Sequence, residues 1–181
     1  EENRFIFGFE ESYGYLGGSY VRDKDAVIAS MLICEMVAYY KSQGKNLIDV
    51  LDSLYKKYGY FICSQLSFTC EGASGMKQIM GIMENLRINM PKEIAGSKVI
   101  KAEDYEKSVS FDLVNNTETK ITLPVSNVLC YYLEDGSSLI VRPSGTEPKI
   151  KLYLSAVGET NEKAEVKLKE LEQSGTALLG F

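Results

Sequence analysis

The chain contains no histidine among its 181 residues, and this absence excludes several kinds of site. A Ser-His-Asp triad, a Cys-His dyad and a histidine-ligated zinc or haem all require an imidazole. Basic residues are also in the minority: 20 lysines and arginines stand against 25 aspartates and glutamates, for a net charge of −5. A general nucleic-acid binder needs a basic face, so this charge argues against that class of protein.

Signals of a secreted or membrane-spanning protein are also missing. None of the cysteines forms a Cys-x-x-Cys pair, and their apolar surroundings predict four buried, reduced thiols (Cys34, Cys63, Cys70 and Cys130). The longest apolar stretch, Ala26–Tyr40, carries Glu35 and is short for a bilayer span. No signal peptide is visible, so we expect a cytoplasmic protein. Because the sequence starts at Glu1 without methionine, we also expect a piece of a longer protein.

The first half of the sequence predicts an α/β layer. Arg4–Phe9 is aromatic and β-branched, which favours a buried strand. Apolar residues cover nearly the whole circumference of a helix over Ala26–Tyr40, so this helix is predicted to be buried on several sides. A second helix opens at Asn46, with Asp49 as its capping-box partner. A strand at the start of such a layer needs neighbouring strands from elsewhere.

A strand over Tyr60–Cys70 and a helix over Ala73–Ile88 complete this half. Glycine, proline and charged residues then replace the apolar pattern over Pro91–Ser97. We therefore predict a domain boundary here, with one domain over residues 1–92 and another over residues 93–181.

The second half changes from a helical to a β pattern. Its predicted strands are short: Val99–Ala102, Ser108–Val114, Lys120–Leu123, Val128–Leu133, Ser138–Val141 and Lys149–Ala156. Asp135-Gly136 predicts a hairpin turn, and Asn161 is predicted to cap a last helix that reaches about Gln173. The predicted fold class is thus a truncated α/β domain with packed helices, then a small α+β domain with an antiparallel sheet and helices.

The most specific segment for chemistry is residues 142–149, which has the composition of an anion-binding loop. Arg142 can place two hydrogen bonds on a phosphate, and Lys149 adds a second positive charge. The hydroxyls of Ser144 and Thr146 are short neutral donors, and Gly145 lets the backbone curl tightly near a ligand. Flanking prolines stiffen the loop and lower the entropy lost on binding. The alternative interpretation is an ordinary turn between two strands.

A second segment, Gly8–Gly14, follows a predicted strand. Glu10 and Ser12 place a carboxylate and a hydroxyl two residues apart, a pattern suited to the vicinal hydroxyls of a sugar. Ligands of open α/β sheets bind beyond the carboxyl ends of the strands, which favours this position. The alternative is a helix cap or loop with solvated glutamates.

The third segment, Tyr20–Asp25, is a run of charges before the first helix. In one interpretation it is solvated, and its acidic end caps the helix. In the other, Lys24 acts as an electrophile or a proton donor beside a sugar, with Arg22 two residues before it.

In this order, the three segments resemble the α-D-phosphohexomutases, the family of phosphoglucomutase and phosphomannomutase. Residues 10–14 look like the sugar-binding loop of the family's third domain, and residues 22–25 look like the basic segment that follows it. Residues 142–149 look like the phosphate-binding loop of the fourth domain, and this match is long and specific. The resemblance covers essentially the whole chain.

The resemblance implies part of a four-domain isomerase, an intramolecular phosphotransferase that interconverts hexose 1-phosphate and hexose 6-phosphate. Such an enzyme uses a phosphoserine in domain one, Mg²⁺ on an Asp-Gly-Asp-type loop in domain two, and a glucose 1,6-bisphosphate-type intermediate and activator. This sequence has neither a histidine for the phosphoserine loop nor an Asp-Gly-Asp. The resemblance therefore implies the end of domain three and all of domain four, with no metal site. Its partners would be the N-terminal domains, and the chain alone is expected to be inactive.

The resemblance also carries roles to single residues. It implies that Glu10 and Ser12 hold sugar hydroxyls, that Arg22 and Lys24 bind substrate, and that Lys24 has acid, base or electrostatic duty. It implies that the phosphate that is not reacting is held by Arg142, Ser144, Gly145, Thr146 and Lys149. At Lys151 the family often has arginine. Because lysine keeps the charge but cannot place two parallel hydrogen bonds on a phosphate as arginine can, Lys151 is not included among these residues.

The substrate preference rests on the loop's Glu-Glu-Ser form at residues 10–12, which resembles the phosphoglucomutase branch. We therefore expect glucose phosphate to be favoured over mannose phosphate. A phosphopentomutase or phosphoglucosamine mutase piece stays open as an alternative. So do a stand-alone, non-enzymatic phosphate- or sugar-binding module and a structural domain in which these loops are only turns.

Overall fold

The computed structural model describes residues 5–10, 13–72 and 74–181 of the chain. It divides into two compact units, residues 1–57 and residues 58–181. No helix in the described ranges has both the length and the apolar character that crossing a bilayer requires. The fold is α/β, as predicted. The described residues form four helices, and their strands pair in antiparallel fashion.

The first unit combines a short hairpin with two helices. Strand β1 (Gly8–Phe9) pairs antiparallel with β2 (Tyr15–Leu16), and helices α1 (Ala26–Ser42) and α2 (Leu47–Tyr58) follow. The side chain of Asn46 accepts hydrogen bonds from the backbone N–H of Ile48 and Asp49, while Asp49 accepts from the N–H of Asn46. This reciprocal arrangement confirms the predicted capping box.

Two expectations for this unit were wrong. Of the strand predicted over Arg4–Phe9, Arg4 lies outside the described residues and the structure forms a strand only over its last two residues. Within α1, which is described throughout, only Ala29 is buried, and Val27 is 81% exposed. The apolar circumference of α1 therefore has little covering it among the residues that the structure describes.

The second unit is one antiparallel sheet with two helices. Its strands run in the order β3-β10-β9-β8-β5-β6-β7, and β4 pairs with β5 off this path. The elements, in chain order, are β3 (Tyr60–Thr69), α3 (Gly75–Ile88), β4 (Glu93–Ile94), β5 (Ser97–Asp104), β6 (Val109–Asp112), β7 (Thr117–Lys120), β8 (Leu129–Leu133), β9 (Ser138–Pro143), β10 (Lys149–Gly158) and α4 (Asn161–Leu179).

The core of this unit lies between the helices and one face of the sheet. Alternate residues of β10 are buried, as the two-residue period of a strand with one covered face requires. Their partners in the core come from both helices, including Ile79 and Met83 of α3 and Leu171 of α4. The core therefore joins residues from both ends of this unit's sequence.

Two polar clusters fix the edges of this core. The Arg87 side chain, 3% exposed, bonds Asp104 and Glu106 and donates to Asn127, so it ties α3 to the end of β5. On the other side, Lys167 of α4 bonds Asp135, which also accepts a hydrogen bond from Ser97. Partial burial of Asp135 acts to raise its pKa. The hydrogen bonds from Lys167 and Ser97 outweigh this effect and lower the pKa to about 2.

The predicted division between residues 92 and 93 falls inside this second unit. The reason is that β3 pairs with β10 over ten residues, from Tyr60 opposite Gly158 to Thr69 opposite Lys149. Residues 60–88 therefore share the sheet and core of residues 93–181, and the two compact units part at residues 57 and 58.

Smaller expectations also differ from the structure. Helix α4 is capped by Thr160, which accepts from the N–H of Lys163, one residue earlier than predicted, and it extends to Leu179. The strand expected over Lys120–Leu123 ends at Lys120. The start predicted for the third helix, Ala73, lies outside the described residues. All four thiols are free, but Cys34 and Cys63 are exposed, because α1 and the open face of β3 leave them uncovered.

Candidate functional site

In the first unit, the described residues of the predicted sugar-binding segment belong to the hairpin of β1 and β2. The β1–β2 ladder places Glu10 opposite Gly14, and the N–H of Glu10 donates to the carbonyl of Gly14 over 2.8 Å. Tyr13 at the tip is 88% exposed, with a φ of 64°. The predicted site residue Ser12, and Glu11 before it, lie outside the described residues.

The structure brings Lys24 against this hairpin. Its Nζ lies 3.2 Å from an Oε of Glu10, and both side chains are about half exposed. A Cβ added to the buried Gly14 would lie 2.4 Å from Cδ of Lys24, so the lysine stem occupies the space that a side chain at position 14 would need. Glycine at this position thus permits the pairing of Lys24 with Glu10.

The hairpin and the charged segment enclose an open cavity of about 230 Å³. Its polar lining comes from Glu10, Arg22, Asp23 and Lys24, and its apolar lining includes Phe9 and Leu16. A carboxylate, an ammonium and a guanidinium beside an aromatic ring offer both acceptors and donors to a polyhydroxylated ligand. Three of the predicted site residues therefore line one cavity.

Asp25, at the end of the charged segment, has a structural role. It caps α1 by accepting hydrogen bonds from the N–H groups of Val27 and Ile28, at 2.9 and 3.1 Å. It also accepts a hydrogen bond from the hydroxyl of Tyr20. These hydrogen bonds, that of Tyr20 first, lower the pKa of Asp25. The capping interpretation is thus confirmed for this residue, while Lys24 beside it faces the cavity.

In the second unit, the predicted phosphate-binding loop connects β9 to β10. The N–H of Ser144 donates to the carbonyl of Lys149 over 2.8 Å, which closes the loop. The Ser144 hydroxyl accepts from the N–H groups of Thr146 and Glu147 at 3.4 and 3.3 Å. Two backbone donors therefore point at one oxygen, the arrangement that also receives an anion.

The backbone of Gly145 differs from the tight, glycine-dependent curl that was expected. Its φ is not among the positive values in the chain, so the turn does not depend on the backbone freedom of glycine. A Cβ added there would meet no atom within 4 Å. The space beside Gly145 is therefore open, as expected, and a ligand can approach the loop there.

The cations of this loop share one face of the sheet. Arg142 of β9 is the register partner of Lys151 of β10, and Lys149 lies two residues before Lys151 on the same strand. Side chains paired in register or two residues apart point to the same face, so these three cations are neighbours. Lys149 bonds Glu147, at 3.0 Å between Nζ and Oε. This cationic row (Arg142, Lys149 and Lys151) can attract an anion despite the chain's net charge of −5.

Sequence reasoning left Lys151 out of the site. The strand period was the signal that could have included it, because Lys149 and Lys151 must share a face. Its pairing with Arg142 required the register of β9 against β10, which the local pattern does not contain.

The resemblance implies a magnesium ion held by a domain outside this chain. Within the described ranges, no group of three or more His, Cys, Asp or Glu side chains is arranged to hold a metal ion. The residues of the two candidate loops can instead offer hydrogen bonds and charge to a ligand.

Comparison with known protein families gives two matches along the chain. Residues 1–58 match the family model described as phosphoglucomutase/phosphomannomutase, alpha/beta/alpha domain III. Residues 83–173 match the model described as phosphoglucomutase/phosphomannomutase, C-terminal domain. The sugar-type loop lies in the first match and the cationic row in the second.

Individual relatives agree with these models. The chain is 44% identical over 154 residues to a phosphoglucomutase of Staphylococcus epidermidis. The aligned region covers 85% of this chain and 28% of that protein. It is also 44% identical over 155 residues to a phosphoglucomutase of Staphylococcus aureus. That aligned region covers 86% of this chain and 28% of the relative. The chain thus spans little more than a quarter of the length of these relatives.

One solved structure is similar in fold. It is the open form of pp63/parafusin, described as a phosphoglucomutase from Paramecium. The TM-score is 0.65 at 18% identity, over 94% of this chain and 29% of that one. At this identity the likeness concerns the fold alone.

Proposed function

The chain belongs to the phosphoglucomutase/phosphomannomutase family, and we propose that it is the substrate-recognition part of a phosphohexomutase. The whole protein would interconvert hexose 1-phosphate and hexose 6-phosphate, with glucose favoured over mannose. The observation that carries the proposal is the loop between β9 and β10, where backbone donors and three cations lie together.

In this proposal the second unit binds the phosphate that does not react. Arg142 donates two hydrogen bonds to it, Lys149 exchanges its bond with Glu147 for one with the phosphate, and the amides after Ser144 supply neutral donors. Binding energy from this remote group positions the reacting end of the sugar. The role of Gly145 is to leave room for the ligand.

The first unit binds the sugar ring in the same proposal. Glu10 accepts hydrogen bonds from two vicinal hydroxyls, and Ser12 is proposed to add a hydroxyl beside it. Lys24, whose Nζ already lies 3.2 Å from an Oε of Glu10, offers a donor to a sugar oxygen. Arg22 lines the same cavity and adds positive charge toward the substrate.

Phosphoryl transfer itself is proposed for residues outside this chain. A phosphoserine would donate its phosphoryl group to a sugar hydroxyl, and the resulting 1,6-bisphosphate would return its other phosphoryl group to the serine after it reorients. Mg²⁺ and a bisphosphate activator would serve that step. We propose a cytoplasmic location for the whole protein and expect no turnover by the 181-residue chain alone.

The test is an amide NMR titration of the chain with glucose 1-phosphate, inorganic phosphate and glucose. We expect both phosphate ligands, but not glucose, to shift the amides of residues 144–149. Arg142→Ala should weaken phosphate binding at least about ten-fold, since a hydrogen bond to a charged group contributes about 1.5–3 kcal/mol. Lys163→Ala, which removes an exposed cation in α4, is the matched control and should leave binding unchanged.

Each outcome bears on a different interpretation of the chain. Unchanged phosphate binding in Arg142→Ala would reject the role of the loop and favour a structural domain with ordinary turns. Robust turnover of glucose 1-phosphate by the isolated chain would reject the proposal that it only recognises substrate.

A further inference from the structure

The turn after β3 lies directly against the phosphate-binding loop. The N–H of Cys70, which is 4% exposed, donates to the carbonyl of Pro148 over 2.9 Å. One residue earlier, Thr69 pairs with Lys149 at the start of β10. The returning arm of the loop is therefore attached to the end of β3, a strand far away in sequence.

Gly75, the first residue of α3, packs directly against both Cys70 and Pro148. It is buried, and a Cβ added to it would lie 2.0 Å from the carbonyl oxygen of Cys70 and 3.0 Å from Cβ of Pro148. Real Cβ atoms essentially never come as close as 2.0 Å to another heavy atom, so a side chain at this position forces a shift. Only glycine lets the start of α3, the end of β3 and the loop meet here.

The helix cannot easily be the part that yields. Ile79 and Met83 are fully buried in the core, and Leu86 is 2% exposed. Arg87 adds bonds to Asp104 and Glu106 at the far end of α3. The loop over 144–147 is mostly exposed. A shift of Cys70, forced by a side chain at position 75, therefore reaches the loop through the bond from the Cys70 N–H to Pro148.

We propose that Gly75 is a positioning residue for phosphate binding: it seats α3 against Cys70 and Pro148 and so holds residues 143–149 in their binding geometry. The inference rests on the proposed function of that loop. A loop that is already ordered loses less entropy when phosphate binds, and this contact provides the order.

The test compares two glycines of one helix. The chain carrying Gly75→Ala and the chain carrying Gly81→Ala are titrated with inorganic phosphate and followed by amide NMR. A Cβ at Gly81 meets no atom within 4 Å, so that variant should bind like the original chain. Gly75→Ala should weaken binding at least about ten-fold and move the amides of Ser144 and Lys149 before any ligand is added.

A third variant separates positioning from loss of stability. Met83→Ala removes fully buried volume from the middle of α3 without touching the loop. It should unfold more easily and keep its phosphate affinity, whereas a purely structural role predicts equal affinities for Gly75→Ala and Met83→Ala. Equal affinities in Gly75→Ala and the original chain would overturn the inference. Absence of phosphate binding in the original chain would instead overturn the proposed function.

A measurement on the original chain keeps the inference testable if Gly75→Ala does not fold. Phosphate should slow hydrogen exchange of the Cys70 amide, because that amide bonds to Pro148 and opens only when the loop moves. The amide of Asn89, bonded to Asn85 at the other end of α3, is the control and should not change. Unchanged exchange at Cys70 in the presence of saturating phosphate would overturn the inference.

Discussion

The two units of the chain use apolar residues very differently. In the second unit, alternate residues of β10 are fully buried between sheet and helices. In the first unit, α1 buries only Ala29 and no residue of α2 is buried, although both helices are described throughout. Burial of an apolar face is what stabilises a helix by packing. Among the described residues, the second unit therefore has an extensive core and the first unit has a small one.

The polar interactions differ in the same way. In the second unit, Arg87 and Asp104 form an ion pair with side chains only 3% and 7% exposed. In the first unit, Lys24 and Glu10 pair with about half of each side chain in water. The buried pair holds α3 in place, while the exposed pair is free to rearrange around a ligand.

Removing one cation from each pair should give the largest contrast. Arg87→Ala leaves the carboxylate of Asp104 buried without its main partner and should cost about 3–5 kcal/mol. Lys24→Ala should cost less than about 1 kcal/mol, since exposed pairs contribute little. Urea unfolding, followed by amide signals of each unit, measures both. Similar losses for the two variants would contradict the distinction between the pairs.

The same substitution in two leucines tests the two cores. Leu152 of β10 is fully buried, so Leu152→Ala should lower the free energy of unfolding of the second unit by about 2–5 kcal/mol. Leu51 of α2 is 47% exposed, and Leu51→Ala should change stability by less than about 0.5 kcal/mol. The urea concentrations at the midpoints of unfolding, measured for both variants and the original chain, test this difference. A large loss for Leu51→Ala would mean that α2 has a partner in solution.

The smallest expected effect is the pH dependence that Asp135 gives to the stability of the second unit. The pKa of Asp135 is lowered from 3.8 to about 2 by Lys167 and Ser97, so its contribution is present above about pH 4 and lost as the pH falls toward about 2. Because the carboxylate is partly exposed, we expect about 1–2 kcal/mol. Asp135→Asn should remove this contribution at about pH 7 and leave little difference from the original chain near pH 2. Unfolding curves at both pH values provide the check.

Local signals in the sequence predicted local structure well. Asn46 and Asp49 determine the start of α2, and Asp135-Gly136 determines the turn between β8 and β9, because caps and tight turns depend on a few adjacent residues. The composition of residues 142–149 identified the loop without knowledge of its neighbours. Both candidate loops were found in this way.

Long-range pairing was beyond the sequence pattern. The alternation of β3 showed a strand but not its partner β10, so the compact units divide at residues 57 and 58 rather than where the composition changes. For the same reason Lys151 was separated from Arg142, and the contact of Gly75 with Pro148 was invisible. Such relations depend on register and packing, which many residues determine together.

The pairing of β3 with β10 has a consequence for how the protein is made. Residues 60–69 leave the ribosome well before their partners at 149–158. Strand β9 also pairs with β10, so it too stays unpaired on that side until β10 has been synthesised. During this interval the nascent chain displays an unpaired strand edge, a state that invites association with other chains or with chaperones. The rate of elongation through this region should therefore influence how much of the protein reaches its folded form.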